Sequence, residues 1–284
     1  MADAAPARPE TRAAAARPRT LVIRGDLSLA TRAAFGMVPI VVILAVWWAL
    51  TAGPTAESRI ISPVILPSPM EVARSFHSLW FDRALSRSIL YSLARVLAGF
   101  GVAVFFAVPL GIGMGAFTSV RALFNPIAVG GAYLPIAALV PLTLSWFGVG
   151  EVQKVVFLAI ASFVFLLPLV VQAVDDVDEI YLKTAYTLGA TTPQAVFRVL
   201  VPVAAAQIFD GMRLAIGVGW TYIILAEIVA AERGLGNLII VSQRRGPREH
   251  IYLVLLIIVL LAFVTDKVLQ WIGARLFPYR EVKR

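Results

Sequence analysis

Few side chains in this 284-residue chain are equipped for chemistry, and most of them lie in apolar surroundings. Glu227 sits near the end of a long apolar run, with Trp220 seven residues earlier and so on much the same helical face. A carboxylate at that depth is expensive, so it needs a purpose. It either lines or gates a translocation path, or it is hydrogen-bonded to a neighbouring helix. Arg213 follows Asp210 by three residues, a spacing at which two side chains share a helix face. Asp266 falls at a similar depth in a later apolar segment. These three are expected to form a structural ion pair bracing helix ends. Arg95, near the start of another apolar run, is expected to snorkel to an interface.

Other chemistries are excluded. The chain has no Cys and two His, His77 and His250, far apart in sequence. That removes cysteine nucleophiles, disulfides and Cys-based metal sites. No G-x-x-x-x-G-K-[ST] phosphate loop is present, and Gly111, Gly113 and Gly115 lie in an apolar run without the strand–turn–helix setting of a dinucleotide site. G-x-S-x-G and H-E-x-x-H are absent too. No enzymatic step, metal or cofactor is expected in this chain. Any nucleotide that drives it must bind elsewhere.

The elements that position these residues are apolar helices. Hydrophobic residues make up 60% of the chain and charged ones 15%, with a mean hydropathy of +0.85. A soluble domain is about 45–50% apolar. Six segments approach the ~20 residues that a bilayer demands: Phe35 to Ala52, Leu93 to Phe117, Leu123 to Phe147, Val152 to Val174, Ile208 to Ala231 and Ile251 to Ile272. They are continuous and lack the two-residue alternation of barrel strands. The expectation is an all-α polytopic membrane protein. Pro109, Pro135, Pro141 and Pro168 fall inside segments, where close packing through small residues is the expectation and a broken, pathway-lining helix the alternative.

Net charge is +8. The basic residues flank apolar runs, which fits topology and anionic lipid headgroups better than nucleic acid. Residues 1–34 carry six Arg and no long apolar run, and read as a flexible cytoplasmic tail ahead of a membrane unit over 35–284. Arg121 and the final Arg280, Lys283 and Arg284 also favour cytoplasmic termini. Ser68, Pro69 and Glu71 form a helix start, with Val72 and Phe76 one turn apart, as in a short amphipathic helix at the outer surface.

Residues 175–205 are too ordered in pattern to be a plain loop. Acidic residues 175–179 precede a helical pattern of Ile180, Leu182, Ala185 and Leu188, and Gly189 fits a C-terminal cap. Thr192-Pro193-Gln194 starts a second helix with Ala195, Val196, Val199 and Leu200 on its apolar side. Two helices hinged at a glycine make a knob suited to a partner's groove. The segment resembles the coupling loop of ABC importer permeases, whose pattern is E-A-A, three residues, Gly, nine residues, I-x-L-P. Here the positions are Lys183-Thr184-Ala185, Gly189, Val199, Val201 and Pro202. Lys183 and Thr184 depart from the pattern.

The resemblance continues through Leu66-Pro67-Ser68-Pro69, Ser92 to Phe100, Val108 to Gly111, Trp146-Phe147-Gly148 with Gly150, Glu151 and Lys154, Gly211 to Ala215, Ala226-Glu227 and Gly234-Leu235-Gly236. These residues look like the nitrate/sulfonate/taurine branch, which also includes bicarbonate transport. The resemblance implies a type I ABC importer permease fold with six transmembrane helices in a bacterial inner membrane. Lys183, Thr184, Ala185, Leu188, Gly189, Ala190 and Pro202 would then couple to ATP-binding cassette subunits, which hold the ATP and Mg. A second permease copy and a periplasmic or lipid-anchored solute-binding protein would complete the assembly. The alternative is an ion-gradient-driven secondary transporter, which needs internal repeats and deep carboxylates as ion sites. No repeat is visible, and Glu227 is the only deep carboxylate.

Overall fold

The computed structural model describes residues 28–279 apart from 54, 56, 230 and 231. Most of the 1–34 tail and the basic residues 280–284 lie outside the described residues. The first helix, α1 (Leu29–Thr51), starts inside the expected tail, because Ser28 caps it by accepting from the Thr31 N–H at 3.2 Å. Its side chains face outward nearly all round, as suits a lipid-facing span.

A strap leads from α1 to α2 (Pro69–Phe81), whose start carries a full capping box between Ser68 and Glu71. Val72, Ser75 and Leu79 form its buried face, whereas Phe76 is exposed and stacks on Trp80 at 5.4 Å. Long helices follow: α3 (Leu85–Ala116), α4 (Thr118–Ala132), α5 (Leu139–Phe147) and α6 (Glu151–Asp175). Then come α7 (Glu179–Thr187), α8 (Thr192–Ala195), α9 (Val201–Ile228), α10 (Leu235–Arg245) and α11 (Arg248–Leu276). Five helical runs among the described residues are long and apolar enough to cross a membrane, and a bent pair supplies a sixth if it forms one span.

That bent pair is the expected third span. It breaks between α4 and the turn beginning at Ile136, with an 86° change of direction. Pro135 has no N–H to continue the ladder and disfavours helical geometry at Leu134. The same residue type leaves α3 and α6 unbroken at Pro109 and Pro168.

Spans two, five and six start earlier than hydropathy suggested, at Leu85, Val201 and Arg248. Span five is also joined to α8, so helix runs from Thr192 to Ile228. The join is a π-helical turn, Val196–Leu200, closed by the Val201 N–H bonding to Val196 O. Pro202 has no N–H for the carbonyl of Arg198, and the widened turn takes up that mismatch. The helix α10 lies where only a loop was expected. Leu235, Leu238, Ile239 and Ser242 are its buried face, at helical spacing.

The core is the pair α3 and α6, with α9 laid against both. Gly99, Ala103, Ala107 and Gly111 form a buried small-residue ridge on α3, continued by Gly115. A Cβ at Gly99 would lie 2.6 Å from Leu158 Cβ, at Gly111 2.7 Å from Val170 Cβ, and at Gly115 2.5 Å from Val174 Cβ. The offset between contacting residues is constant at 59, so the two helices run parallel and in register. Small-residue packing therefore explains Gly111 and Gly115.

Candidate functional site

The ionisable residues gather at the two ends of the α3–α6–α9 core. At the end where α6 begins, Glu227 is fully buried (0% exposed). Its carboxylate accepts from Ser92 Oγ at 2.7 Å, from Arg95 Nη1 at 2.7 Å and from the Gly236 N–H at 2.8 Å. Gly234, with φ +126°, lets the chain turn over that carboxylate, where a Cβ would sit 2.5 Å from its oxygens. Ser92 Oγ also accepts from the Leu235 N–H at 2.9 Å. The network ties α3 and α9 to the turn that starts α10.

Arg95 does not snorkel. It is buried (4% exposed) and holds two carboxylates at once. Its Nε and Nη2 donate to Glu151 at 2.6 Å each, and Nη1 also donates to the Arg233 carbonyl at 2.7 Å. A guanidinium fork suits that bidentate geometry, and full pairing offsets the cost of burying the charge. Lys154, also buried, lies 3.4 Å from Glu151 Oε1. Trp220 is enclosed in the core, two turns before Glu227, with no partner for Nε1 among the described residues.

Deeper along α9, Arg213 reaches Asp266 on α11 at 2.9 Å and Asp210 at 3.4 Å. These are partly exposed pairs. Nearer the end of α6, Arg121 at the start of α4 pairs with Asp175, and Gln207 donates to Asp176.

The loop after α6 has the helix–glycine–helix form. Asp178 caps α7 by accepting from the Ile180 N–H at 2.9 Å. At the far end the Gly189 N–H bonds Tyr186 O at 2.9 Å and the Ala190 N–H bonds Ala185 O at 3.0 Å, the two bonds of a Schellman cap. Gly189 has φ +83°, and no atom lies within 4 Å of where its Cβ would be. Thr191 and Gln194 form the capping box of α8.

Ala185 packs inward, with Ala195, Val196 and Leu200 beneath it, while Ala190 is half-buried. Ile180, Tyr181, Tyr186, Leu188 and Phe197 face out, Leu188 at 83% exposure. Lys183 and Thr184 are exposed, and Pro202 sits at the entry to α9. Lys183 bonds Glu179 at 2.7 Å, which holds the carboxyl of Glu179 below its ordinary value and the Lys183 ammonium above its own.

Sequence reasoning missed Ser92, Arg95, Glu151 and Lys154 as one cluster with Glu227. The signal was their spacing: Ser92 and Arg95 are three apart on α3, Glu151 and Lys154 three apart on α6, and a deep carboxylate needs a cation.

Residues 107–278 match the family described as "Binding-protein-dependent transport system inner membrane component". The chain is 30% identical to the taurine transport system permease protein TauC of Escherichia coli (strain K12), over 84% of this chain and 86% of that protein. It is 25% identical to the nitrate import permease protein NrtB of Synechocystis, over 85% and 88% of the two. Its fold is like that of a chain of the MetNI methionine ABC transporter in an inward-facing conformation, with TM-score 0.60 and 19% identity over 71% of this chain and 97% of that one.

Proposed function

We propose, from the premise that the chain belongs to the binding-protein-dependent transport system inner membrane component family, how this membrane-embedded ABC permease subunit works. Its spans form the translocation path of an importer for a small anion or zwitterion of the nitrate, sulfonate, taurine or bicarbonate type. ATP is hydrolysed on separate ATP-binding subunits, and a second copy of the permease and an external solute-binding protein complete the assembly. Both termini face the cytoplasm. The end of the bundle bearing α7 then faces inward, and the end bearing Glu227 faces outward.

The carrying observation is the capped α7–Gly189–α8 knob, which presents Tyr181, Tyr186 and Leu188 to solvent, with Phe197 exposed on the π turn that follows. Exposed aromatic and aliphatic side chains on a rigid helix pair are what a groove on a partner subunit would bury. Because α8 runs through the π turn into α9, movement of the knob passes directly into a membrane span. Closure of the ATP-binding subunits would thereby reorient the spans between outward and inward access. An ion-driven transporter needs a deep carboxylate free to load an ion, whereas Glu227 already accepts from Ser92, Arg95 and Gly236. Co-purification with the ATP-binding subunit, followed by solute-stimulated ATPase activity in liposomes, tests the reading. A permease that captures no ATPase subunit and takes up solute on an ion gradient alone would overturn it.

A further inference from the structure

A cleft of about 440 Å³ opens beside the Arg95–Glu151 pair, at the end of the bundle remote from α7. Tyr91, Arg95, Glu151, Lys154, Glu232 and Arg233 line it. Its volume falls within the ~300–1,000 Å³ of small-molecule sites. Lys154 is its unusual member. The side chain is 4% exposed, yet among the described residues the only partner of its ammonium is Glu151 Oε1 at 3.4 Å. A charge-assisted bond of this type is normally about 2.7–2.9 Å, and an ammonium has three donors to place. Glu151 is already committed to Arg95 through two bonds of 2.6 Å. Lys154 is thus a nearly buried cation whose hydrogen-bonding capacity is mostly unspent and whose open side is the cleft.

The lining also includes a second cation. Arg233 is stacked 5.6 Å from the Tyr91 ring centroid and donates to the Tyr91 hydroxyl at 2.9 Å, which fixes it at the rim. Arg95, by contrast, already spends its donors on Glu151, Glu227 and the Arg233 carbonyl. Lys154, with donors to spare, and Arg233 therefore both line the cleft, with exposed Glu232 beside Arg233.

We propose that this cleft receives the oxyanion group of a small solute, with Lys154 as its principal donor and Arg233 as the second. Glu232 faces the ammonium of a zwitterionic solute and repels a second negative charge. The proposal rests on the transport reading only for its direction, as the site that a solute meets on entering from outside. Binding itself is a property of this chain.

The test is equilibrium binding of radiolabelled taurine, with nitrate as competitor, to the full-length permease in phosphatidylcholine nanodiscs. Saturable binding is expected. Losing the charged donor in Lys154→Gln should weaken it about tenfold or more, while Lys154→Arg should retain most of it. Absence of saturable binding, or wild-type affinity in Lys154→Gln, overturns the site. Glu232→Gln alters only an exposed residue and keeps the test readable if Lys154→Gln does not insert. It should tighten nitrate binding, and an unchanged nitrate affinity overturns the site. Adding phosphatidylglycerol should leave binding unchanged; loss in proportion to that lipid assigns the cleft to a lipid headgroup and overturns the solute. ATP-driven uptake by the whole transporter separates the two readings. Uptake unaltered by Lys154→Gln sinks the cleft alone, whereas failure to bind an ATPase subunit sinks the transport reading and leaves nanodisc binding to report on the cleft.

Discussion

Replacing Glu227 with alanine removes the acceptor at which α3, α9 and the turn before α10 meet. The carboxylate is wholly enclosed and takes bonds from Ser92, Arg95 and Gly236 at 2.7, 2.7 and 2.8 Å. In Glu227→Ala the Ser92 hydroxyl and the Gly236 N–H lose their acceptor, at about 1–3 kcal/mol each. Arg95 is not stranded, because both bonds to Glu151 remain. The net loss should therefore be that of the two orphaned donors, about 2–6 kcal/mol. Glu227→Gln keeps the volume and one acceptor oxygen, so its cost should be smaller, about 1–3 kcal/mol. Reversible unfolding in mixed micelles, followed by tryptophan fluorescence, measures both. A loss below about 1 kcal/mol for Glu227→Ala would refute the bracing role. Abolished transport at unchanged stability would instead make Glu227 a residue of the path.

At Gly189 the φ of +83° and the open surroundings mean that Gly189→Val costs only backbone strain, about 1–2 kcal/mol. The variant should insert and dimerise yet lose pull-down of the ATP-binding subunit and solute-stimulated ATPase; normal coupling would sink the assignment of the loop. On α3, Gly111→Ala drives a Cβ against Val170 and should cost about 1–3 kcal/mol, whereas Gly101→Ala meets nothing within 4 Å and should be neutral or stabilising in the same unfolding assay. The Arg59 guanidinium, bonded to Glu71 at 2.8 Å, brings that carboxyl down to about 2 from 4.5. A depressed carboxyl contributes stability above its unfolded pKa and loses it as pH falls through the folded value. The protection factor of the Ser68 amide, whose N–H bonds Glu71, should therefore stay high at pH 5 and fall only as pH drops from about 4.5 towards 2; Glu71→Gln should abolish that profile.

The apolar runs, the Ser68 helix start and the turn at Gly189 were readable because each is a local pattern whose cause lies within a few residues. The early start of α3 was not. Ser88, Tyr91 and Ser92 fall before the apolar run and Arg95 at its start, and partners on other elements are what make them compatible with a packed helix: Glu151 is 56 residues from Arg95 and Glu227 is 132. The break at Pro135 was hidden for the opposite reason. Proline is a local signal, yet Pro109 and Pro168 carry the same signal inside unbroken helices, so the outcome depends on which neighbours re-satisfy the backbone. The ridge from Gly99 to Gly115 was visible as composition, but its meaning required the facing residues of α6.

That ridge also connects the two ends of the molecule. α6 begins at Glu151 beside the cleft and ends at Asp175 beside the knob, a rise of about 36 Å at 1.5 Å per residue. Along much of that length α3 lies against it with no room for a methyl group at three glycines. Helices packed so closely cannot slide past one another without opening voids, because an interior at this density has discrete arrangements rather than a continuum. A displacement applied at the knob must therefore move α3 and α6 together, and with them both carboxylates held by Arg95.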